Sequence, residues 1–135
     1  MGLREARAAL RRAHSQLERV QVAWLNPPDP VEAVTFAFYA YENAIVAVAE
    51  AKGAKWTKNH AEKARLAGRL FSDGILSTDI EDRLIQLNTL RKDVAYGDPG
   101  PELQELVLEE LAAELEQFLE EVEEVVGAVE KSKKK

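Results

Sequence analysis

Apolar residues recur three and four positions apart through most of this 135-residue chain. That spacing places them along one side of an α-helix, because a helix has 3.6 residues per turn. No segment shows the strict apolar–polar alternation that a half-buried strand requires. The sequence therefore predicts an all-α fold, and the length favours a single domain.

The second predicted helix, residues 30–52, restricts the arrangement most. It carries a large apolar face and, beside it, a stripe of alanines that also recur three and four apart: Ala33, Ala37, Ala40, Ala44, Ala47 and Ala51. Small residues let a neighbouring backbone approach closely, so this helix should be covered on two sides. Asp29 is its expected N-cap, Pro30 its first residue and Gly53 its end. We expect this helix at the centre of the bundle.

Four further helices are predicted around it, one before it in the sequence and three after it. The first runs from about residue 3 to 24, the third from 57–60 to 72, and the fourth opens at a capping box formed by Thr78 and Glu81. The last should start after the turn at 98–101 and continue to residue 130. The sequence thus predicts a five-helix antiparallel bundle over residues 1–130, followed by a disordered basic tail at 131–135.

The length of the last predicted helix bears on assembly. At 1.5 Å per residue, some 30 residues would span about 45 Å. A body of this size cannot easily cover such a rod. We therefore expect this helix, or the region from Arg91 to Tyr96, to meet a second copy in a homodimer.

The net charge of −6 is unevenly distributed. Residues 1–24 contain five Arg and two Glu, whereas residues 101–130 contain eleven Glu and no basic residue, so the simplest expectation is that these two helices lie side by side. Residues 50–73 carry a net charge of +3, and Trp56 lies beside these cations. An acidic protein binds nucleic acid only locally, which makes this stretch the most credible phosphate-binding surface; a generic basic edge is the alternative. Trp56 would stack on a base or anchor the loop.

Several classes of protein are disfavoured. There is no cysteine, which excludes disulfides and thiolate metal sites. The longest purely apolar run, residues 44–49, is far shorter than the roughly 20 residues of a membrane span. No signal peptide is visible, so we expect a cytoplasmic protein without membrane contact. No phosphate loop, dinucleotide fingerprint, nucleophile triad or metal motif occurs, so we expect neither a cofactor nor a metal.

Residues 88–97 form the most informative polar stretch. Arg91 offers a planar set of donors suited to phosphate, and Tyr96 follows five positions later. An uninterrupted helix would turn the two about 140° apart, so they converge only if the helix stops there or if two copies share the site. Gly97 and Pro99 predict that it stops. For Arg91, an ion pair with a nearby carboxylate is the alternative to ligand binding, and a tyrosine is a poor base near neutral pH.

Asn88 lies one turn before Arg91 on the same face, and Glu42 interrupts the apolar surface of the second helix. Both are expected either to form a polar patch with Arg91 or to lie at the rim of the bundle. His60 is expected to be a cap or first-turn residue of the third helix.

The order of these segments resembles the HEPN family (higher eukaryotes and prokaryotes nucleotide-binding domains) over roughly residues 5–126. The segments that carry the resemblance are Tyr39-Ala40-Tyr41-Glu42-Asn43-Ala44, Glu50-Ala51-Lys52-Gly53, Lys58-Asn59-His60, Leu87-Asn88-Thr89-Leu90-Arg91 and Ala95-Tyr96-Gly97-Asp98. The resemblance implies a dimerising helical bundle. Active members are metal-independent endoribonucleases with an arginine, four to six residues and then a histidine, and many are paired with a minimal nucleotidyltransferase as toxin and antitoxin.

Arg91 stands at the arginine position of that motif, and Tyr96 stands where a catalytic member has histidine. The resemblance implies a nucleotide- or RNA-associated binding module, partnered by a nucleotidyltransferase, whose binding residues are Asn88, Arg91, Lys92, Tyr96 and Lys58. If there is catalysis, Arg91 and Tyr96 are its candidates. The alternatives are an endoribonuclease toxin with a site shared between two subunits, and a structural interaction bundle without a ligand.

Overall fold

The computed structural model describes residues 2–25, 27–97 and 101–133. Within these ranges it consists of six α-helices and no strand: α1 (Leu3–Ala23), α2 (Pro30–Lys52), α3 (His60–Ser72), α4 (Glu81–Ala95), α5 (Pro101–Glu105) and α6 (Leu108–Lys133). The predicted all-α class is confirmed, and the predicted number of helices differs by one.

The additional helix arises because the predicted last helix is interrupted. α5 ends at Glu105 and α6 begins at Leu108, so the expected continuous rod from residue 101 is wrong. Leu103 of α5 is buried in the core, whereas Val107, in the interruption between α5 and α6, is half exposed. At the other end, α6 includes residues 131–133, which were expected in the disordered tail. Residues 98–100 of the predicted turn lie outside the described residues, and Pro101, its last residue, is the first residue of α5.

α2 occupies the centre of the bundle and packs against α1, α3, α4 and α6. It has the predicted bounds and the predicted caps, since Asp29 Oδ1 accepts a hydrogen bond from Glu32 N at 3.0 Å and Gly53 adopts a left-handed conformation with φ of 71°. All six alanines of the predicted stripe are buried, and so are Phe38 and Ile45 on the apolar face, whereas Val31 at its N-terminal end is exposed. The expectation of a central helix covered on more than one side is confirmed.

The basic α1 packs against the acidic α6, as the charge distribution predicted. Arg7 Nη1 lies 2.6 Å from Glu123 Oε1, and Arg7 Nε donates to Glu130 Oε2 at 2.9 Å. Hydrogen bonds to Glu130 and Glu123 raise the pKa of Arg7 above its ordinary value. Charge complementarity along this pair of helices thus adds to the apolar seam.

The predicted capping box of α4 does not form. α4 begins at Glu81, and its N-cap residue is Ile80, which makes no side-chain cap hydrogen bond. Thr78 Oγ1 instead donates to Glu121 Oε1 on α6 at 2.8 Å. A tertiary partner therefore takes the hydroxyl that the local pattern had assigned to the helix end.

One further property of α2 was not anticipated. By length and composition it is apolar enough to cross a membrane, although 67% of its most apolar window is buried inside the bundle. Core helices of soluble proteins meet the same criterion, so this observation is weak evidence for membrane insertion.

Candidate functional site

The candidate site is built around Phe38, a residue of α2 that is almost completely buried. The Tyr39 ring meets it edge to face, with the ring centroids 5.4 Å apart. From α4, the Arg91 Cζ atom lies 4.9 Å from the Phe38 centroid and 5.7 Å from the Tyr39 centroid. A guanidinium at these distances is attracted to the negative faces of aromatic rings, which fixes Arg91 against α2.

The hydrogen bonding of Arg91 is incomplete. Its Nη2 donates to Asn88 Oδ1 at 2.7 Å, which confirms that these two side chains belong together. Its Nε is buried and has no hydrogen-bond partner within the described residues. No carboxylate in that part of the chain forms an ion pair with Arg91. The ion pair that the sequence offered as the alternative to ligand binding is therefore not observed with Asp93 or with a glutamate of α6. Asp98 lies outside the described residues. Buried donors without a hydrogen-bond partner, such as Arg91 Nε, are uncommon and call for an explanation.

A second polar group adjoins the same ring. The buried Glu42 accepts from His60 Nδ1 at 2.6 Å through Oε2, and its Oε1 lies 3.5 Å from Lys63 Nζ. A buried carboxylate is tolerated when neighbouring cations and donors offset its loss of hydration, and α3 supplies both. The side chain of His60 remains 38% exposed, and its ring meets Phe38 edge to face at 5.1 Å.

His60 and Arg91 therefore flank one aromatic ring. Because each lies about 5 Å from the Phe38 centroid, the two groups are at most about 10 Å apart. We call this assembly the Phe38 cluster; its members come from α2, α3 and α4, and they are Phe38, Tyr39, Glu42, His60, Lys63, Asn88 and Arg91. The sequence placed His60 at the start of α3 but gave no signal for its bond to Glu42, because the two are 18 positions apart and meet only through helix packing.

The remaining predicted site residues lie at the surface. Tyr96 caps the C-terminus of α4, and Gly97 follows with φ of 74°, which confirms that the helix stops there. The Tyr96 side chain is 85% exposed, and no hydrogen bond or ring contact joins it to Arg91 within the described chain. Lys92 and Lys58 are also exposed. A single protomer thus brings Arg91 and Asn88 together and leaves Tyr96, Lys92 and Lys58 outside the Phe38 cluster.

A separate pocket adjoins the loop that precedes α3. Trp56 Nε1 donates to the buried Glu50 Oε1 at 2.8 Å, and Gly2 N donates to Glu50 Oε2 at the same distance. These hydrogen bonds, that from Trp56 above all, lower the pKa of Glu50 despite the opposing effect of burial. Beside the indole is a pocket of about 300 Å³ lined by Lys55, Trp56, Thr57, Glu62, Arg65, Leu66 and Arg69. It lies within the basic stretch that the sequence singled out.

The described residues contain no group of three or more His, Asp or Glu side chains placed to hold a metal ion. Comparisons of the chain with protein-family models, with curated proteins and with solved structures found no match. The structure itself defines the class: an α-helical bundle whose central helix carries the buried Phe38 and Glu42, with charged side chains of α3 and α4 packed around them.

Proposed function

We propose that this chain is a HEPN-like helical module that binds the phosphate of a nucleotide or an RNA at the Phe38 cluster. We further propose that it acts as a homodimer and as the partner of a minimal nucleotidyltransferase in a pair of the toxin–antitoxin type. The order of sequence motifs and the environment of Arg91 support this proposal.

The state of Arg91 is the observation that carries it. A guanidinium has five N–H donors, and among the described residues only one hydrogen bond, to Asn88, engages them. Aromatic rings hold the side chain in place without neutralising its charge. Lys63, the nearby ammonium, is already engaged by Glu42. Arg91 is therefore the cation of the cluster best placed to bind a phosphate, because its planar guanidinium can donate two parallel hydrogen bonds to phosphate oxygens.

The exposed side of α4 supports dimerisation. Ile85, Lys92 and Tyr96 are separated by seven and four positions, which places them along one stripe of a helix. All three are exposed, and Tyr96 is the most exposed large apolar residue identified in the described chain. A second copy packed on this stripe would cover Tyr96.

Binding can be measured by fluorescence anisotropy of a short labelled RNA at low and at physiological salt. We expect affinity to fall as salt rises, because phosphate contacts release counterions. Arg91→Gln should weaken binding at least tenfold. Arg11→Gln on the exposed side of α1 removes the same charge elsewhere and should change affinity by less than twofold. Equal effects of the two variants, or no binding by the unmodified chain, would contradict the proposal.

The geometry of His60 favours endoribonuclease activity as a second candidate function. Glu42 holds Nδ1, whereas Nε2 makes no hydrogen bond within the described residues and the ring is partly exposed. A carboxylate that fixes one ring nitrogen orients the other to accept a proton. In this scheme, His60 Nε2 takes the proton of a ribose 2′-hydroxyl, O2′ bonds to the adjacent phosphorus, and the 5′-oxygen leaves and takes a proton from water. Arg91 would stabilise the charge that develops on the phosphate.

This second candidate assigns proton transfer to His60, whereas in the HEPN-like motif Tyr96 stands at the position of the catalytic histidine. The test is cleavage of a 5′-labelled RNA in the presence of a chelator, with products that end in a 2′,3′-cyclic phosphate. His60→Gln should abolish cleavage, and His14→Gln on the exposed side of α1 should not. Intact RNA after prolonged incubation with the unmodified chain, or full activity of His60→Gln, would exclude this candidate while leaving the binding proposal standing.

A further inference from the structure

The pocket beside Trp56 has the dimensions and composition of a small-ligand site. Its volume of about 300 Å³ lies at the lower end of the range typical for such sites, about 300–1,000 Å³. One wall is the indole of Trp56, and another is formed by residues 62–69 of α3. None of its lining residues belongs to the Phe38 cluster.

Three cations line this pocket without an acidic partner. Lys55, Arg65 and Arg69 form no ion pair and no side-chain hydrogen bond within the described chain. Arg65 and Arg69 are four positions apart on α3, so their guanidinium groups project from the same side of the helix. The single acid in the lining, Glu62, accepts a hydrogen bond from Thr57 Oγ1 at 2.6 Å. The lining thus carries an excess positive charge suited to an anion.

Trp56 is held in a fixed orientation. Its Nε1 donates a hydrogen bond to the buried carboxylate of Glu50. Lys63 Nζ lies 5.8 Å from the centroid of the Trp56 ring, although Lys63 does not line the pocket. An indole that is already ordered loses little conformational entropy when a planar ligand stacks on it. Stacking on an aromatic side chain is available to every nucleic acid base.

We propose that this pocket binds a nucleoside 5′-phosphate, with the base stacked on Trp56 and the phosphate bound by Arg65 and Arg69. The ligand is either a free nucleotide or the 5′-phosphorylated end of an RNA, which present the same chemistry. The site goes beyond the function proposed for the Phe38 cluster, because it depends on different residues and does not require Arg91.

The experiment is a titration of the full chain, labelled with ¹⁵N, with adenosine 5′-monophosphate, inorganic phosphate and adenosine in turn. We expect the monophosphate to bind at least tenfold more tightly than either fragment and to shift the indole N–H resonance of Trp56. The resonance of Trp24, at the end of α1, serves as the internal control. A 5′-phosphorylated RNA hexamer compared with its 5′-hydroxyl counterpart distinguishes an RNA end from a free nucleotide.

The double variant Arg65→Gln/Arg69→Gln should weaken binding of the monophosphate at least tenfold. Both positions are exposed, so the variant should retain its circular dichroism spectrum. A charge-matched double variant on α1, Arg4→Gln/Arg11→Gln, should change the affinity reported by the Trp56 indole by less than twofold. The proposal is overturned if the monophosphate binds no better than phosphate, if the Trp56 indole does not shift, or if the α3 and α1 double variants weaken binding equally.

Discussion

Glu42 links the stability of the fold to the candidate functional site. Glu42 is 4% exposed, and its carboxylate lies between His60 and Lys63, both on α3. A buried charge of this kind stabilises little by itself, since desolvation opposes the attraction, but removing one partner leaves another charge uncompensated. The contacts of Glu42 with His60 and Lys63 therefore both hold α3 against α2 and orient the polar side chains of the Phe38 cluster.

Glu42→Ala should lower the free energy of unfolding by about 3 kcal/mol, because Lys63 would remain largely buried without its carboxylate. Urea denaturation followed by circular dichroism measures this difference. Glu18→Ala, which removes an exposed glutamate of α1, should change the free energy of unfolding by no more than about 0.5 kcal/mol. Similar losses in both variants would show that Glu42 has no special structural role.

Tyr41 makes the free energy of unfolding fall at alkaline pH. Burial in the core is the main reason that its pKa is raised above the ordinary tyrosine value. The charge of Arg83 lowers this pKa by a smaller amount, and the charge of Glu114 raises it. Above pH about 10, an exposed tyrosine of the unfolded chain loses its proton while folded Tyr41 retains it. The unfolded state then binds fewer protons, so the free energy of unfolding falls as pH rises through and beyond this value.

The expected result is that Tyr41→Phe loses less stability than the unmodified chain between pH about 8 and about 11. Urea denaturation at a series of pH values measures the difference between the two proteins, which removes the contribution of other titrating groups. Parallel stability curves across this range would contradict the assignment.

At the scale of the elements, local sequence determines a helix end only where no tertiary partner competes. Asp29 and Gly53 bound α2 as predicted, since their capping interactions involve only neighbouring backbone. Thr78 does not cap α4, because Glu121 of α6 takes its hydroxyl. The break between α5 and α6 was also missed, since it depends on whether Leu103 or Val107 faces the core.

Two glycines test the backbone contribution to these elements with the same chemical change. A Cβ atom at Gly53 or at Gly127 would meet no atom within 4 Å, so neither substitution by alanine creates a clash. Gly53→Ala should destabilise the protein by about 1 kcal/mol, because Gly53 has φ of 71°, where a side chain is strained. Gly127→Ala, inside α6, should stabilise it by up to about 1 kcal/mol.

Thermal and urea denaturation of both variants provide the measurement. Opposite signs are expected from identical substitutions, since only the backbone conformation differs. A stabilising Gly53→Ala would show that the C-terminal end of α2 relaxes to another conformation.

At the scale of the whole molecule, a homodimer remains our prediction. Light scattering should give a mass of about twice the 15.1 kDa of one chain. Tyr96→Ala should shift the equilibrium towards monomer without changing the helical content, because Tyr96 is 85% exposed in one protomer. Val22→Ala, which alters an exposed apolar residue of α1, is the matched control. A monomeric unmodified chain would remove the basis for a site shared between two copies.

The sequence by itself determined the helical class, the extent and central position of α2, and the juxtaposition of the basic and acidic helices. Periodicity, local caps and net charge are properties of neighbouring residues or of whole segments, and they can be read without coordinates. The sequence also placed Asn88 on the same helix face as Arg91, because one helical turn separates them.

Only the tertiary structure decided which distant side chains meet. It placed Arg91 over Phe38 and Tyr39, joined His60 to Glu42, and set Lys55 of the preceding loop beside Arg65 and Arg69 of α3 in the Trp56 pocket. These contacts depend on the crossing and rotation of helices as they pack around α2. No local pattern encodes that geometry, because it results from the packing of the entire core.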